Sequence, residues 1–346
     1  MKNSWHVYVV LPRLFAFVCV LSLLITPANI ASAKEDGSSE SPSAFREKLY
    51  DVCFKTPSEA FIVGYPGVVL RSTDAGASWK RIKVPSDEPF FDIYFSDEKH
   101  GWIVGRNGTV LTTLDGGLTW AAQKSNVEQP LFAVHFFNSN KGIAVGHFGT
   151  IAQTSDGGIS WDSIEFPLMS SAGIHGMYFL DSNNGFFVGE YPYWETELSE
   201  DVTEDVISNM FKTADGGKTW ERVPTSVPKT LYDILFINKT VGYAVGKKGT
   251  LIISKDGGVT WNKLDTPYDN LFTTLTHQGD RVFATGTEGV ILEIKDESIK
   301  MLNANIFTWL SGIAFGDEKH GIVVGARGTI LYTADGGKTW KKHPIK

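Results

Sequence analysis

The stretch Val323-Val324-Gly325-Ala326-Arg327-Gly328-Thr329-Ile330-Leu331-Tyr332-Thr333-Ala334-Asp335-Gly336-Gly337-Lys338-Thr339-Trp340 decides how this chain is read. Written as V-G-x-x-G-T-hydrophobic followed by T-x-D-G-G-x-T-W, it recurs at Val104–Trp120, Val145–Trp161 and Val245–Trp261. Looser copies lie at Val63–Trp79, Val188–Trp220 and Ala284–Asp296. The equivalent glycines are Gly64, Gly105, Gly146, Gly189, Gly246, Gly286 and Gly325, so the unit occurs seven times, mostly about forty residues apart. That is the period of a four-stranded propeller blade.

Each unit opens on a short apolar strand, such as Phe90–Phe95 or Leu310–Phe315, followed by a polar turn such as Ser96-Asp97-Glu98-Lys99-His100-Gly101. A second strand, a reversal ending in Gly (Arg106-Asn107-Gly108), a third strand, an Asp-Gly-Gly turn and a fourth strand starting at Trp complete it. Short strands with Gly at every reversal read as all-β. One such sheet alone would leave both faces wet. Seven around an axis bury each face against a neighbour. The expected fold is a single seven-bladed β-propeller of four-stranded antiparallel blades over residues 46–346. Its ring closes by packing the last blade on the first. An extra strand from Ser43–Glu47 is an open alternative for the closure.

Ahead of the repeats, Lys2 and Arg13 accompany an apolar run from Leu14 to Ile25, and Ala31-Ser32-Ala33 supplies small residues for cleavage. Residues 1–33 therefore read as a signal peptide, and the Ser- and charge-rich segment 34–45 as a flexible leader. Localisation follows: export across the inner membrane to the periplasm, or to the thylakoid lumen in a photosynthetic organism. Removing Lys2 and Arg13 with the signal takes the net charge from −7 to −9. An acidic body argues against general nucleic-acid binding. Cys53 is then the only mature cysteine, so no internal disulfide forms, and its apolar strand suggests a buried small hydrophobe.

The turn S/T-x-D-x-G-x-x-W is the Asp-box, or bacterial neuraminidase repeat. Its aspartates are Asp74, Asp115, Asp156, Asp215, Asp256 and Asp335; the sixth repeat has only Lys295-Asp296-Glu297 and no Trp. Asp can accept backbone N–H bonds inside such a turn, Gly supplies positive φ, and Trp buries a large ring. Identical acids spread round a ring cannot converge on one substrate, so these six read as structural.

With the strand-turn opener before it, the longer repeat resembles the photosystem II stability/assembly factor family over roughly residues 46–346. The resemblance implies a secreted or lumenal seven-bladed propeller without catalysis or cofactor. It also implies a protein partner, here a membrane protein met during assembly. A monomer is expected, with peripheral membrane contact compatible with that role. The chain departs from cyanobacterial members in lacking a lipobox at Cys19, and in an acidic insert at 190–209.

In an up-and-down blade the Gly-ended reversals and the links between blades share one face. That face varies most in sequence, and variable loops on a rigid frame are where propellers bind. Its partner-binding candidates are Arg106, His147, Lys247, Lys248 and Arg327, with Tyr191, Tyr193 and Trp194 from the insert. Leu198, Val202 and Val206 recur every fourth residue there and suggest a short helix. A calcium site in the insert lacks a fixed ligand spacing. His135, His147 and His175 likewise lack metal-ligand spacing. Two other functions compete. A glycoside hydrolase or sialidase-like enzyme would need facing carboxylates, for which Glu190 and Glu288 are the pair to test. A non-catalytic glycan-binding propeller would use the insert aromatics as stacking platforms.

Overall fold

The computed structural model describes residues 47–169, 172–190, 209–225, 227–302 and 304–343. The expected signal peptide and leader lie outside them, as do Tyr191, Tyr193, Trp194 and the helix expected in the insert. The described residues form seven four-stranded antiparallel sheets, each built from consecutive strands of one repeat. Blade 1 comprises Lys48–Phe54, Ala60–Tyr65, Val68–Ser72 and Lys80–Arg81; blade 7 comprises Leu310–Phe315, Gly321–Gly325, Thr329–Thr333 and Lys341–Lys342.

Second strands such as Gly101–Gly105, Gly142–Gly146 and Gly321–Gly325 are buried at every position. A strand covered on both faces reads as a continuous apolar run instead of an alternating one, which explains sequences such as Gly321-Ile322-Val323-Val324. The cores lie between blades. Phe61, Val63 and Val69 of blade 1 pack with Phe90, Ile103, Leu111 and Trp120 of blade 2. The Asp-box tryptophans do not start the fourth strands as the sequence suggested. Trp120 precedes its strand, Ala121–Gln123, and plugs the seam towards the preceding blade. Burying such a ring contributes about 3 kcal/mol. The indole N–H groups of Trp220 and Trp261 donate to Gly217 and Gly258 of their own turns. Those of Trp79, Trp120, Trp161 and Trp340 are buried without a partner.

Among the described residues, every sheet takes its four strands from a single repeat. Blade 7 packs directly on blade 1: Ile322 and Val324 join Leu49, Ile62 and Leu70 in one cluster. Ser311 Oγ donates to Leu49 O at 2.6 Å and Gly328 N–H to Glu47 O at 2.7 Å. Glu47, just before the first strand, thus contributes a carbonyl to the seam; residues 43–46, offered for an added strand, lie outside the described residues. The Glu47 carboxylate pairs with Arg81.

Within the last Asp-box, the Thr333 hydroxyl donates to Asp335 Oδ1 at 2.8 Å and accepts the Gly337 N–H at 2.9 Å. Asp335 in turn accepts from the Thr339 N–H at 2.9 Å and hydroxyl at 2.6 Å. Asp74, Asp115, Asp156, Asp215 and Asp256 repeat this pattern. All six carboxylates are spent inside their own turns. The sixth repeat substitutes a tight hairpin with Asp296 and Glu297 at φ 48° and 63°. Because Thr333 is only 2% exposed, Thr333→Val should strand the Gly337 N–H and cost about 1–3 kcal/mol. Urea unfolding of the two proteins checks this; an unchanged midpoint would show that the box contributes nothing to stability.

Candidate binding site at the channel mouth

The inner strands surround a central channel, and each carries one β-bulge. In blade 1 Leu49 pairs with Gly64 and Asp51 with Val63, leaving Tyr50 unpaired. The equivalent extra residues are Phe91, Phe132, His175, Tyr232, Thr273 and Ser311. A bulge bends its strand and re-aims the extra side chain, here into the channel wall. The bend also presses the inner strand onto the glycine opposite. A Cβ on Gly64 would lie 2.2 Å from Lys48 O, and on Gly146 2.0 Å from Pro130 O. The repeated glycine of the sequence motif is thus the space that each bulge requires.

Five bulged residues are aromatic, and they form an arc. Ring centroids are 5.3 Å apart for Tyr50–Phe91, 5.5 Å for Phe91–Phe132, 5.2 Å for Phe132–His175 and 4.8 Å for His175–Tyr232. These spacings suit edge-to-face and offset packing. The arc stops at blades 6 and 7, where the hydroxyls of Thr273 and Ser311 donate to Leu310 O and Leu49 O in the next blade.

One residue deeper, Asp51, Asp92 and Asp233 line the same channel. Each reaches the following blade: Asp51 accepts the Ile93 N–H (3.2 Å), Asp92 the Val134 N–H (2.7 Å) and Asp233 the Leu275 N–H (2.7 Å). Burial, and then the charge of Asp92, raises the Asp51 carboxyl well above its ordinary range; burial also raises Asp92. Burial pushes Asp233 up to about 7, outweighing the backbone N–H bonds it accepts. His135, further along the wall, is held neutral by burial, with its pKa lowered to about 4. Cys53 is half-buried, not fully buried as its strand suggested, and burial pushes its thiol up.

The reversals of each blade sit on the same face as the links between blades. Arg106 N–H donates to Pro89 O, and His147 N–H to Pro130 O. The Asp-box turns pack instead on the first turns, as where Gly116 N–H donates to Lys99 O. Arg106, Lys247, Lys248 and Arg327 are exposed and have no ion-pair partner among the described residues. They stand in blades 2, 5 and 7, spread round the rim and not gathered in one patch. Lys248 and Arg327 hold φ of 53° and 58°, and Phe148 53°, a left-handed conformation that bulky residues seldom adopt. His147 lies lower, with its ring 6.2 Å from Phe132, and burial lowers its pKa.

Glu190 follows the second strand of blade 4, and Glu288 lies in the reversal of blade 6. Burial alone would raise the Glu190 carboxyl, but His175 and the Gly173 N–H outweigh it and hold it low. Glu288 is exposed in blade 6, where Asn270 donates to it.

The sequence matches the family described as photosynthesis system II assembly factor YCF48 over residues 78–170, 212–306 and 294–346. The chain belongs to that family. A curated relative, the photosystem II stability/assembly factor HCF136, chloroplastic, of Arabidopsis thaliana, is 27% identical over 136 residues. That match covers 35% of this chain and 34% of the relative, about a third of its length. The fold is shared with YCF48 bound to D1 peptide (TM-score 0.66, 18% identity, 84% of this chain and 92% of that one). It is shared equally with YCF48 from Cyanidioschyzon merolae (0.67, 20%, 84% and 97%). A GH74 xyloglucanase from Xanthomonas campestris has it too (0.67, 12%, 87% and 55%). At such identities these structures speak for the propeller alone. The aromatic arc and its carboxylates were not singled out, although Tyr50-Asp51, Phe91-Asp92 and Tyr232-Asp233 recur at one repeat position.

Proposed function

We propose that this chain is a non-catalytic, extracytoplasmic propeller that holds a peptide segment of a membrane-protein partner against its reversal face during assembly. The observation that carries this reading is the rim: four exposed cations, without an ion-pair partner among the described residues, on one face of an otherwise acidic protein. Lys248 and Arg327 share their left-handed backbone with Asn107, Phe148 and Glu288 at the same repeat position, so the reversal frame holds whatever side chain the blade supplies there. Family membership supports an assembly role, and the D1 peptide bound to YCF48 supports a protein segment as the ligand. The export signal read at 1–33 and the chloroplastic relative support a site outside the cytoplasm. The enzyme reading is disfavoured because Glu190 is engaged by His175 and Gly173 and because the Asp-box carboxylates are consumed by their turns. A monomer with peripheral membrane contact fits the same reading.

The test is the triple variant Arg106→Glu/Lys248→Glu/Arg327→Glu against wild type, used to capture membrane proteins from the native envelope at 50 and 200 mM salt. These side chains are exposed, so the fold should survive. Wild type should retain a membrane protein whose binding weakens with salt, and the variant should bind it at least tenfold more weakly with little salt dependence. The same partner held by both proteins with the same salt response would overturn the rim as the site.

A further inference from the structure

The reversals carry Arg106, Lys247, Lys248 and Arg327, yet the channel below them has the opposite character. Its cavity of about 480 Å³ has no Lys or Arg among its lining residues. Ring faces and edges from five consecutive blades surround the upper part, and Asp51, Asp92 and Asp233 stand directly below. Aromatic faces attract cations through their quadrupole, most strongly where water is displaced. Carboxylates recessed in a poorly hydrated wall gain more from a cation than they would in bulk water.

We propose that the channel is a socket for an organic cation, an alkylammonium or guanidinium group on an aliphatic stem. The stem would pass the arc formed by Tyr50, Phe91, Phe132 and Tyr232, and the charged head would meet Asp51 and Asp92. Both carboxyls line the same cavity, and burial raises them towards the protonated form; a bound ammonium supplies positive charge beside them in place of a proton. A bare metal ion suits the site less well. The carboxylates already accept backbone N–H bonds from the next blade, and no cluster of three metal-ligating side chains occurs among the described residues. The group could arrive on a free polyamine or on a lysine or arginine of a protein partner. Both have the same chemistry, and the experiment separates them.

The test is calorimetric titration of the whole protein at pH 7.5 with spermidine and with the end-capped tripeptide acetyl-Gly-Arg-Gly-amide. Acetyl-Gly-citrulline-Gly-amide is the uncharged control of similar shape. At least one of the cations should bind saturably with one site per chain, and the control at least tenfold more weakly. Asp92→Asn and Phe91→Leu should each weaken binding tenfold or more. Melting curves run alongside, and Phe132→Leu replaces either variant that does not fold. Spermidine alone binding would identify a free polyamine site, and the arginine peptide alone a partner's side chain. No saturable binding of either cation, equal binding of the control, or binding unchanged in the folded variants would overturn the socket. Such a failure would leave the rim reading standing, because the capture experiment reads other residues.

Discussion

Gly146→Ala should destabilise the protein by about 3 kcal/mol or more. The backbone conformation is not the obstacle: φ is −166° there, an extended value open to any residue. The obstacle is space. The new methyl would lie 2.0 Å from Pro130 O and 3.0 Å from Leu131 Cα, and both are backbone atoms held by the bulge at Phe132. Overpacking costs about 1–3 kcal/mol where side chains can give way; here a strand must move, and with it the ring of Phe132 in the channel arc. Gly279→Ala is the control. Its φ is 61° and a Cβ would meet nothing within 4 Å, so it should lose only about 1 kcal/mol for the left-handed backbone. Urea unfolding compares them. A loss at Gly146 no larger than at Gly279 would mean that the bulge does not need the glycine.

Asp233→Asn should change how stability depends on pH. The folded carboxyl titrates near 7 and an ordinary one near 3.8, so between those values the folded protein binds the proton that the unfolded chain has released. The stabilisation is complete below about pH 4 and is lost as pH rises through 7. Asparagine does not titrate. Its amide N–H faces a backbone donor and costs a constant amount at every pH. The stability difference between variant and wild type should therefore move in favour of asparagine by up to about 4 kcal/mol from pH 4 to pH 8, at about 1.36 kcal/mol per pKa unit. Denaturant melts at both pH values measure it, and an equal difference at the two would refute the buried carboxyl as their source. The Asp-box carboxylates act oppositely. Asp115, Asp215 and Asp335 are held near 2: burial pushes Asp115 and Asp335 up, but the hydroxyl and N–H bonds they accept outweigh it, and such bonds lead at Asp215. Their contribution is present above about pH 4 and fades as pH falls towards 2.

The propeller was legible because its two strongest constraints are local and leave residue-type signatures. Gly64 and its six counterparts mark a backbone approach that no side chain permits. Each Asp-box is a closed set of hydrogen bonds between residues two to four apart. The loop rim was legible for the opposite reason, since Arg106, Lys247 and Arg327 sit where the repeat stops dictating residue type. The channel arc depends on which residue of the inner strand drops out of register. A bulge breaks the two-residue alternation by which faces are read. Tyr50 and Asp51, neighbours in sequence, consequently line one channel together. Phe91 and Phe132, in turn, meet only because two bulges in different blades point the same way.

The junction between blades 7 and 1 is made of the same materials as the one between blades 6 and 7: a peg hydroxyl, an apolar cluster and a turn against the segment that leads into the next blade. Nothing about it needs the polypeptide to begin and end there. The positions of the termini belong to the gene, while the wheel itself has no privileged starting point. Circular rearrangement, with the break moved to any exposed link between vanes, is therefore a change this architecture can absorb.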